Sequence, residues 1–113
     1  MADKKKVSEI TVEDLIAYCR IDTPDENEKK FLTESLDIAK SFISGYTGVD
    51  DLDQENTFVL VVYILVQDMY DNRTLYIDND KINKTVSTIL GMHSINLLWS
   101  TQEIINIKSK SLN

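Results

Sequence analysis

The chain of 113 residues is poor in the residues that build disulfides, metal sites and tight loops, with one cysteine, one histidine, one proline and three glycines. A single cysteine, Cys19, excludes a disulfide within the chain and a zinc site made of several cysteines. Three glycines leave little material for a phosphate-binding loop, and the common hydrolase, zinc-protease and calcium-loop motifs are missing. We therefore expect no enzymatic activity, no cofactor and no metal site.

Three features could still carry chemistry. His93 has no carboxylate or second histidine near it in the sequence, so we interpret it as a packed or solvated side chain. The spacing of the three aspartates before the apolar run, Asp50, Asp51 and Asp53, is not that of a calcium loop. It indicates a solvated loop that places negative charge before a helix. Cys19 falls on the apolar stripe of the first predicted helix, which is typical of a small core residue.

Charge is distributed unevenly along the chain, whose net charge is −7. Residues 7–80 carry 17 acidic and 5 basic side chains, whereas residues 81–113 carry one acidic and four basic ones. Backbone recognition of DNA needs clustered lysine and arginine, so this acidic body argues against a dedicated DNA-binding protein.

The length indicates one small domain that would gain from association with further copies. The N-terminus has no apolar signal segment, and we expect synthesis in the cytosol.

The longest apolar run, residues 58–66, is the expected centre of the fold. It is far shorter than the roughly 20 residues of a membrane span, so we predict no membrane segment. The absence of glycine and proline before Asn72 favours a helix from about Asn56 to Asn72. Because its first half is apolar on all sides, we expect this helix to be surrounded by other protein. The predicted core residues are Leu36, Phe42, Leu60, Ile64 and Leu65, with the last three buried between the second and last helices.

Two helices are predicted before this run. Thr11 is a suitable N-cap for a short helix that ends near Arg20. Thr23, Pro24 and Glu26 form a capping-box pattern, which predicts a second helix over residues 24–46.

One helix is predicted after the run. It begins near Lys81 with Asp80 as its cap, and it ends between Gly91 and Leu98. Together these patterns predict an all-α fold, a small bundle of about four helices around a buried central helix, with an extended C-terminal arm. We divide the chain into an N-terminal tail (1–8), a helical domain (9–99) and the arm (100–113).

Candidate interface residues lie at the end of the central helix and in the arm. We expect Arg73 to pair with an acidic residue of the first or second helix, or with a neighbouring subunit. Trp99 fits either an interface anchor or ordinary core. The arm combines isoleucines with lysines and is suited to reach a neighbouring subunit or another partner; its candidate interface residues are Ile104, Ile105, Ile107, Lys108 and Lys110. Whether the arm is helix, strand or disordered stays open.

Four segments together carry a resemblance to a known family. They are residues 11–22 (TVEDLIAYCRID), 43–48 (ISGYTG), 69–73 (MYDNR) and 89–98 (ILGMHSINLL). Their order and spacing resemble the phage head-tail connector (adaptor) family, also labelled phage DNA-packaging proteins, in the form found in siphoviruses of Gram-positive hosts. The similarity covers about residues 9–98 and leaves the basic tail uncovered.

The resemblance implies a structural virion protein of the phage neck, made in the cytoplasm of the bacterial host. Members of the family are small helical proteins that form a ring beneath the portal, join it to the stopper and tail, and continue the DNA channel. Matching the portal implies a homo-oligomer of roughly twelve subunits with head-to-tail contacts. DNA would pass through the ring without sequence-specific binding. The alternative is a small helical DNA-binding or terminase-type DNA-packaging protein, and an enzyme is the remote third class.

Overall fold

The computed structural model describes residues 5–94, and this part of the chain contains four α-helices and no strand. The helices are α1 (Val12–Cys19), α2 (Glu26–Thr47), α3 (Thr57–Asn72) and α4 (Lys84–Met92). Short 3-10 turns at Val7–Glu9, Leu52–Gln54 and Asn79–Lys81 lie in the segments before α1, between α2 and α3, and between α3 and α4.

α3 is the central helix, because each of the other three helices packs against it. The buried side chains of α3 are Phe58, Val61, Val62, Leu65, Val66 and Met69. The facing apolar side chains from the other helices are Leu15, Leu32, Leu36, Ala39, Ile43, Val86 and Leu90. The prediction of an all-α bundle of about four helices around a central helix is therefore confirmed. The predicted arm, residues 100–113, lies outside the described residues.

The prediction that Leu60 is buried is wrong, because 44% of this residue is exposed. Leu36 and Leu65 are buried as predicted, whereas Phe42 and Ile64 are half-buried against the core. The helical repeat explains the difference, since Leu60, Ile64, Gln67 and Asp71 fall on one side of α3. The neighbouring helices cover the opposite side and leave this strip uncovered or half-covered. We call these four residues the open strip.

The start of α1 follows the predicted capping pattern. The Thr11 hydroxyl accepts a hydrogen bond from the Asp14 backbone N–H at 3.2 Å, and the Asp14 carboxylate accepts one from the Thr11 N–H at 2.9 Å. This reciprocal pair satisfies two of the backbone donors that a helix N-terminus leaves without partners. Lys5 pairs with the same carboxylate at 2.7 Å, so the lead-in to α1 is tied to its first turn.

The start of α2 differs from the prediction by two residues. Asp25 is the N-cap, and its carboxylate accepts a hydrogen bond from the Glu28 N–H at 2.8 Å. The predicted box at Thr23 is wrong because the same three-residue spacing recurs at Asp25 and Glu28, and aspartate caps at least as well as threonine. At the other end Gly48 takes the left-handed conformation, φ 78°, that favours glycine.

Two other predicted boundaries are also wrong. α4 is capped by Asn83, whose side chain accepts a hydrogen bond from the Thr85 N–H at 2.7 Å, and not by Asp80, which belongs to the preceding 3-10 turn. The N-terminal tail predicted for residues 1–8 is too long, because Val7 is 2% exposed and joins the core. Ser8 next to it donates both its N–H and its hydroxyl to the Asp53 carboxylate, at 2.9 and 2.6 Å.

Candidate functional site

The C-terminal end of α3 carries the one candidate interface residue that lies within the described part of the chain, Arg73. Its backbone is left-handed, with φ 54° and ψ 45°, so that its N–H can bond back to the carbonyls of Met69 and Tyr70. Its guanidinium lies 3.4 Å from the Glu28 carboxylate of α2 and 4.4 Å from the centre of the Tyr70 ring. The structure thus brings Arg73 to an acidic residue of the second helix, one of the partners predicted for it.

Glu28 receives a second donor at the same place. The Tyr70 hydroxyl donates to the same Glu28 oxygen at 2.6 Å, and the Phe31 ring meets the Tyr70 ring edge-on at 6.3 Å. The hydrogen bond to Glu28, with burial, raises the pKa of Tyr70 above its ordinary value. These contacts join the first turn of α2 to the last turn of α3. We call Glu28, Phe31, Tyr70 and Arg73 the Glu28 cluster.

His93, interpreted from the sequence as having no carboxylate nearby, has one in the folded chain. Its Nδ1 lies 3.4 Å from the Glu55 carboxylate, and its Nε2 lies 3.5 Å from the Thr57 hydroxyl. The Phe58 ring meets the imidazole edge-on at 5.6 Å. Sequence reasoning missed this group because Glu55 is 38 positions from His93, and only the return of α4 along α3 brings the two together.

The hydroxyl, imidazole and carboxylate of this group have the connectivity of a hydrolase triad. Both distances are at the upper limit for a hydrogen bond, and three clefts within residues 5–94 are lined by other residues. General-base catalysis needs a base within reach of a bound substrate, and none of these clefts places one beside His93. The geometry instead holds the end of α4 against the start of α3.

A cleft of about 320 Å³ opens beside the C-terminal half of α3. Leu65, Met69, Ile77 and Ile82 give it an apolar lining, and its charged residues are Asp68, Asp78 and Lys81. We call it the α3 cleft. Tyr76 also lines it and is 61% exposed. The volume lies at the lower limit for sites that bind small organic molecules, so the cleft fits one or two side chains better than a cofactor.

Asp68 has an unfavourable electrostatic setting. Partial burial, and then the nearby negative charge of Asp71, raise the pKa of its carboxyl above the usual value. None of the ion pairs within residues 5–94 includes Asp68. Lys81 lines the same cleft, so a cation brought to this position would meet two carboxylates, Asp68 and Asp78, with one lysine among them.

Exposed apolar side chains lie on several parts of the surface. The large ones are Tyr18, Leu60, Leu75, Tyr76 and Met92. Tyr18 is stacked on Tyr63 with ring centres 4.8 Å apart, so part of its surface is already in use. No stacking contact of this kind accounts for the exposed surface of Leu60 and Met92. Both residues lie near the end of the bundle where His93 contacts Thr57.

The remaining predicted features are structural. Cys19 is half-buried, and burial together with Asp71 raises the pKa of its thiol to about 11, which disfavours a reactive thiolate. Asp51 caps the turn before α3, and Asp53 binds Ser8. Within residues 5–94 no group of histidine, cysteine or carboxylate side chains is arranged to hold a metal ion. The other candidate interface residues lie outside the described residues: Trp99, Ile104, Ile105, Ile107, Lys108 and Lys110.

Comparison of the chain with models of protein families, with curated proteins and with solved structures finds no match. None of the helices in the described residues is both long and apolar enough to cross a membrane.

Proposed function

We propose that this chain is a structural subunit of a phage neck. About twelve copies form a ring beneath the portal, join it to a stopper or other neck or tail protein, and continue the DNA channel. The observation that carries this proposal is the open strip. Leu60 belongs to the longest apolar run of the chain, yet 44% of it is exposed in a single chain. A neighbouring subunit packed on that strip would remove the apolar surface from water.

The charge of the body also supports the proposal. Residues 7–80 are strongly acidic, with 17 acidic against 5 basic side chains. A channel that DNA slides through gains from carboxylates, since clustered lysine and arginine would hold the phosphate backbone. In this function the chain needs no catalytic group or cofactor, DNA passes without being read, and the protein resides in the virion.

The experiment measures ring formation on purified portal by negative-stain microscopy and by mass in solution. Leu60→Glu places a charge on the open strip, and we expect it to abolish rings while leaving the helical spectrum close to that of wild type and lowering the melting temperature by only about 4 °C. Thr33→Glu is the matched control, because Thr33 is an exposed residue of α2 away from the strip.

If the wild-type chain forms no ring with or without portal, the proposed function is refuted. If both variants still assemble, the open strip is not the contact. Salt-sensitive binding of the wild-type chain to DNA in a gel-shift assay would favour the DNA-packaging alternative instead.

A further inference from the structure

The α3 cleft lies far from the point at which the described chain ends. Ser94 donates a hydrogen bond to the Tyr46 carbonyl at the C-terminal end of α2, and His93 contacts Thr57 at the N-terminal end of α3. Asp68 lies 11 residues further along α3, which is about 17 Å along the helix axis. The chain therefore continues from one end of the bundle, and the cleft opens toward the other end.

The lining of the cleft defines the chemistry of a partner. Ile77 and Ile82, which are half-buried, offer apolar surface, whereas Leu65 and Met69 are only 1% and 2% exposed; the charged side chains beside them are Asp68, Asp78 and Lys81. A suitable occupant is a short segment that alternates aliphatic side chains with lysine or arginine. Asp68 is an exposed residue whose carboxyl is partly desolvated and lies near Asp71, so a positive charge there is more favourable than at an isolated surface carboxylate.

The chain itself contains such a segment. Residues 104–110 read IINIKSK, with three isoleucines followed by two lysines, in a tail that is basic while the body is acidic. Nine residues, 95–103, separate it from the end of the described chain, and they can span about 30 Å when extended. This reach exceeds the distance of about 17 Å along α3, so it extends to the cleft of a neighbouring molecule as well as to the cleft of the same chain.

We propose that residues 104–110 of one chain dock in the α3 cleft of a second copy, with isoleucine on the apolar lining and lysine beside Asp68 and Asp78. This inference rests on the ring assembly proposed above and adds a second contact to the one on the open strip. Because the arm begins at one end of the bundle and the cleft lies toward the other, the contact joins two different patches. Such a head-to-tail contact repeats from subunit to subunit and closes into a ring when the rotation allows it.

The opposite charges also determine which two surfaces meet. Lysines of the arm are attracted to the acidic cleft of a neighbour, whereas two arms or two clefts repel each other. Exposed ion pairs add only about two- to five-fold each to affinity, so the isoleucines supply most of the binding. The contact should therefore weaken with salt but survive it in part.

The test uses two forms of the full chain mixed in equal amounts. The first form carries Cys19→Ser and Ser109→Cys, with a nitroxide spin label on the new thiol. The second form carries no spin label and is isotopically labelled in its methyl groups for NMR. We expect the nitroxide to broaden the methyl signals of Met69 and Ile77 in the second chain. Signals of Ile43, which is buried away from the cleft, serve as the internal reference.

The charge variant is Asp68→Asn combined with Asp78→Asn on the methyl-labelled chain. We expect it to weaken the contact about four- to 25-fold at low salt, from the contribution of two exposed ion pairs. Glu13→Gln combined with Glu34→Gln is the matched control, since it changes net charge equally on exposed positions of α1 and α2.

Broadening that occurs only when label and reporter share one chain would overturn the proposal, because the arm then binds its own cleft. Absence of broadening at millimolar concentration would overturn it as well. Rings that form on the portal without broadening at the cleft would refute this contact and leave the connector function standing. Broadening at the cleft without rings would refute the connector function and keep the contact.

Discussion

Replacing Leu65 by alanine should destabilise the fold far more than replacing Leu60, although both leucines belong to the same apolar run of α3. Leu65 is 1% exposed and packs in the core, whereas Leu60 is 44% exposed on the open strip. A buried leucine loses its apolar contacts and leaves a cavity, which costs about 2 to 5 kcal/mol. Leu60 has only about half of its surface to lose and leaves no enclosed cavity, so its cost is about 1 kcal/mol.

Urea denaturation followed by circular dichroism measures both free energies at a protein concentration low enough to keep the chain monomeric. For a chain of this length 1 kcal/mol corresponds to about 4 °C in melting temperature, so Leu65→Ala should melt about 8 to 20 °C below wild type. Leu60→Ala should melt about 4 °C below it. Equal losses for the two variants would refute the orientation of α3, because they would require Leu60 to be buried as well as Leu65.

Three further predictions concern contacts between elements. Tyr70→Phe removes the 2.6 Å hydrogen bond to Glu28 and should cost about 1 kcal/mol in urea denaturation, while Tyr76→Phe, on an exposed ring, should cost nothing measurable. At position 73, where φ is 54°, Arg73→Gly should be more stable than Arg73→Ala by about 1 kcal/mol; equal stabilities would argue against the left-handed backbone. The hydrogen bond from Lys5, and then the one from the Thr11 N–H, lower the pKa of Asp14. Wild type should therefore be more stable than Asp14→Asn above about pH 4, and it should lose this advantage as the pH falls through the lowered pKa of Asp14. A stability difference that stays constant from pH 7 to pH 2 would contradict this assignment.

Local signals in the sequence were sufficient for the helices and for part of their boundaries. The Thr11 cap depends on a neighbour three residues away, and this prediction is confirmed. The α2 start was mispredicted because Thr23 and Asp25 both offer a capping side chain with a glutamate three positions later. Nothing local distinguishes two such overlapping patterns, and the packing of the whole helix decides between them.

The orientation of α3 could not be predicted from the sequence. Nine apolar residues in succession have no amphipathic period, so the pattern indicates burial without indicating which side of the helix is covered. The open strip depends on where the three neighbouring helices lie, and those positions are set by contacts between distant parts of the chain. The Tyr70 to Glu28 and His93 to Glu55 contacts depend on the same long-range packing, which explains why their partners were not identified.

The two ends of α3 differ in chemistry, and this difference bears on how copies of the chain would meet. At the N-terminal end Leu60 is exposed on the helix, and the chain continues from Ser94 toward a basic segment. At the C-terminal end the α3 cleft presents Asp68 and Asp78. A contact that brings two cleft ends together would place carboxylates against carboxylates, which costs energy. The proposed head-to-tail contact would instead place apolar and basic groups against Asp68 and Asp78, and its repetition would give the proposed ring.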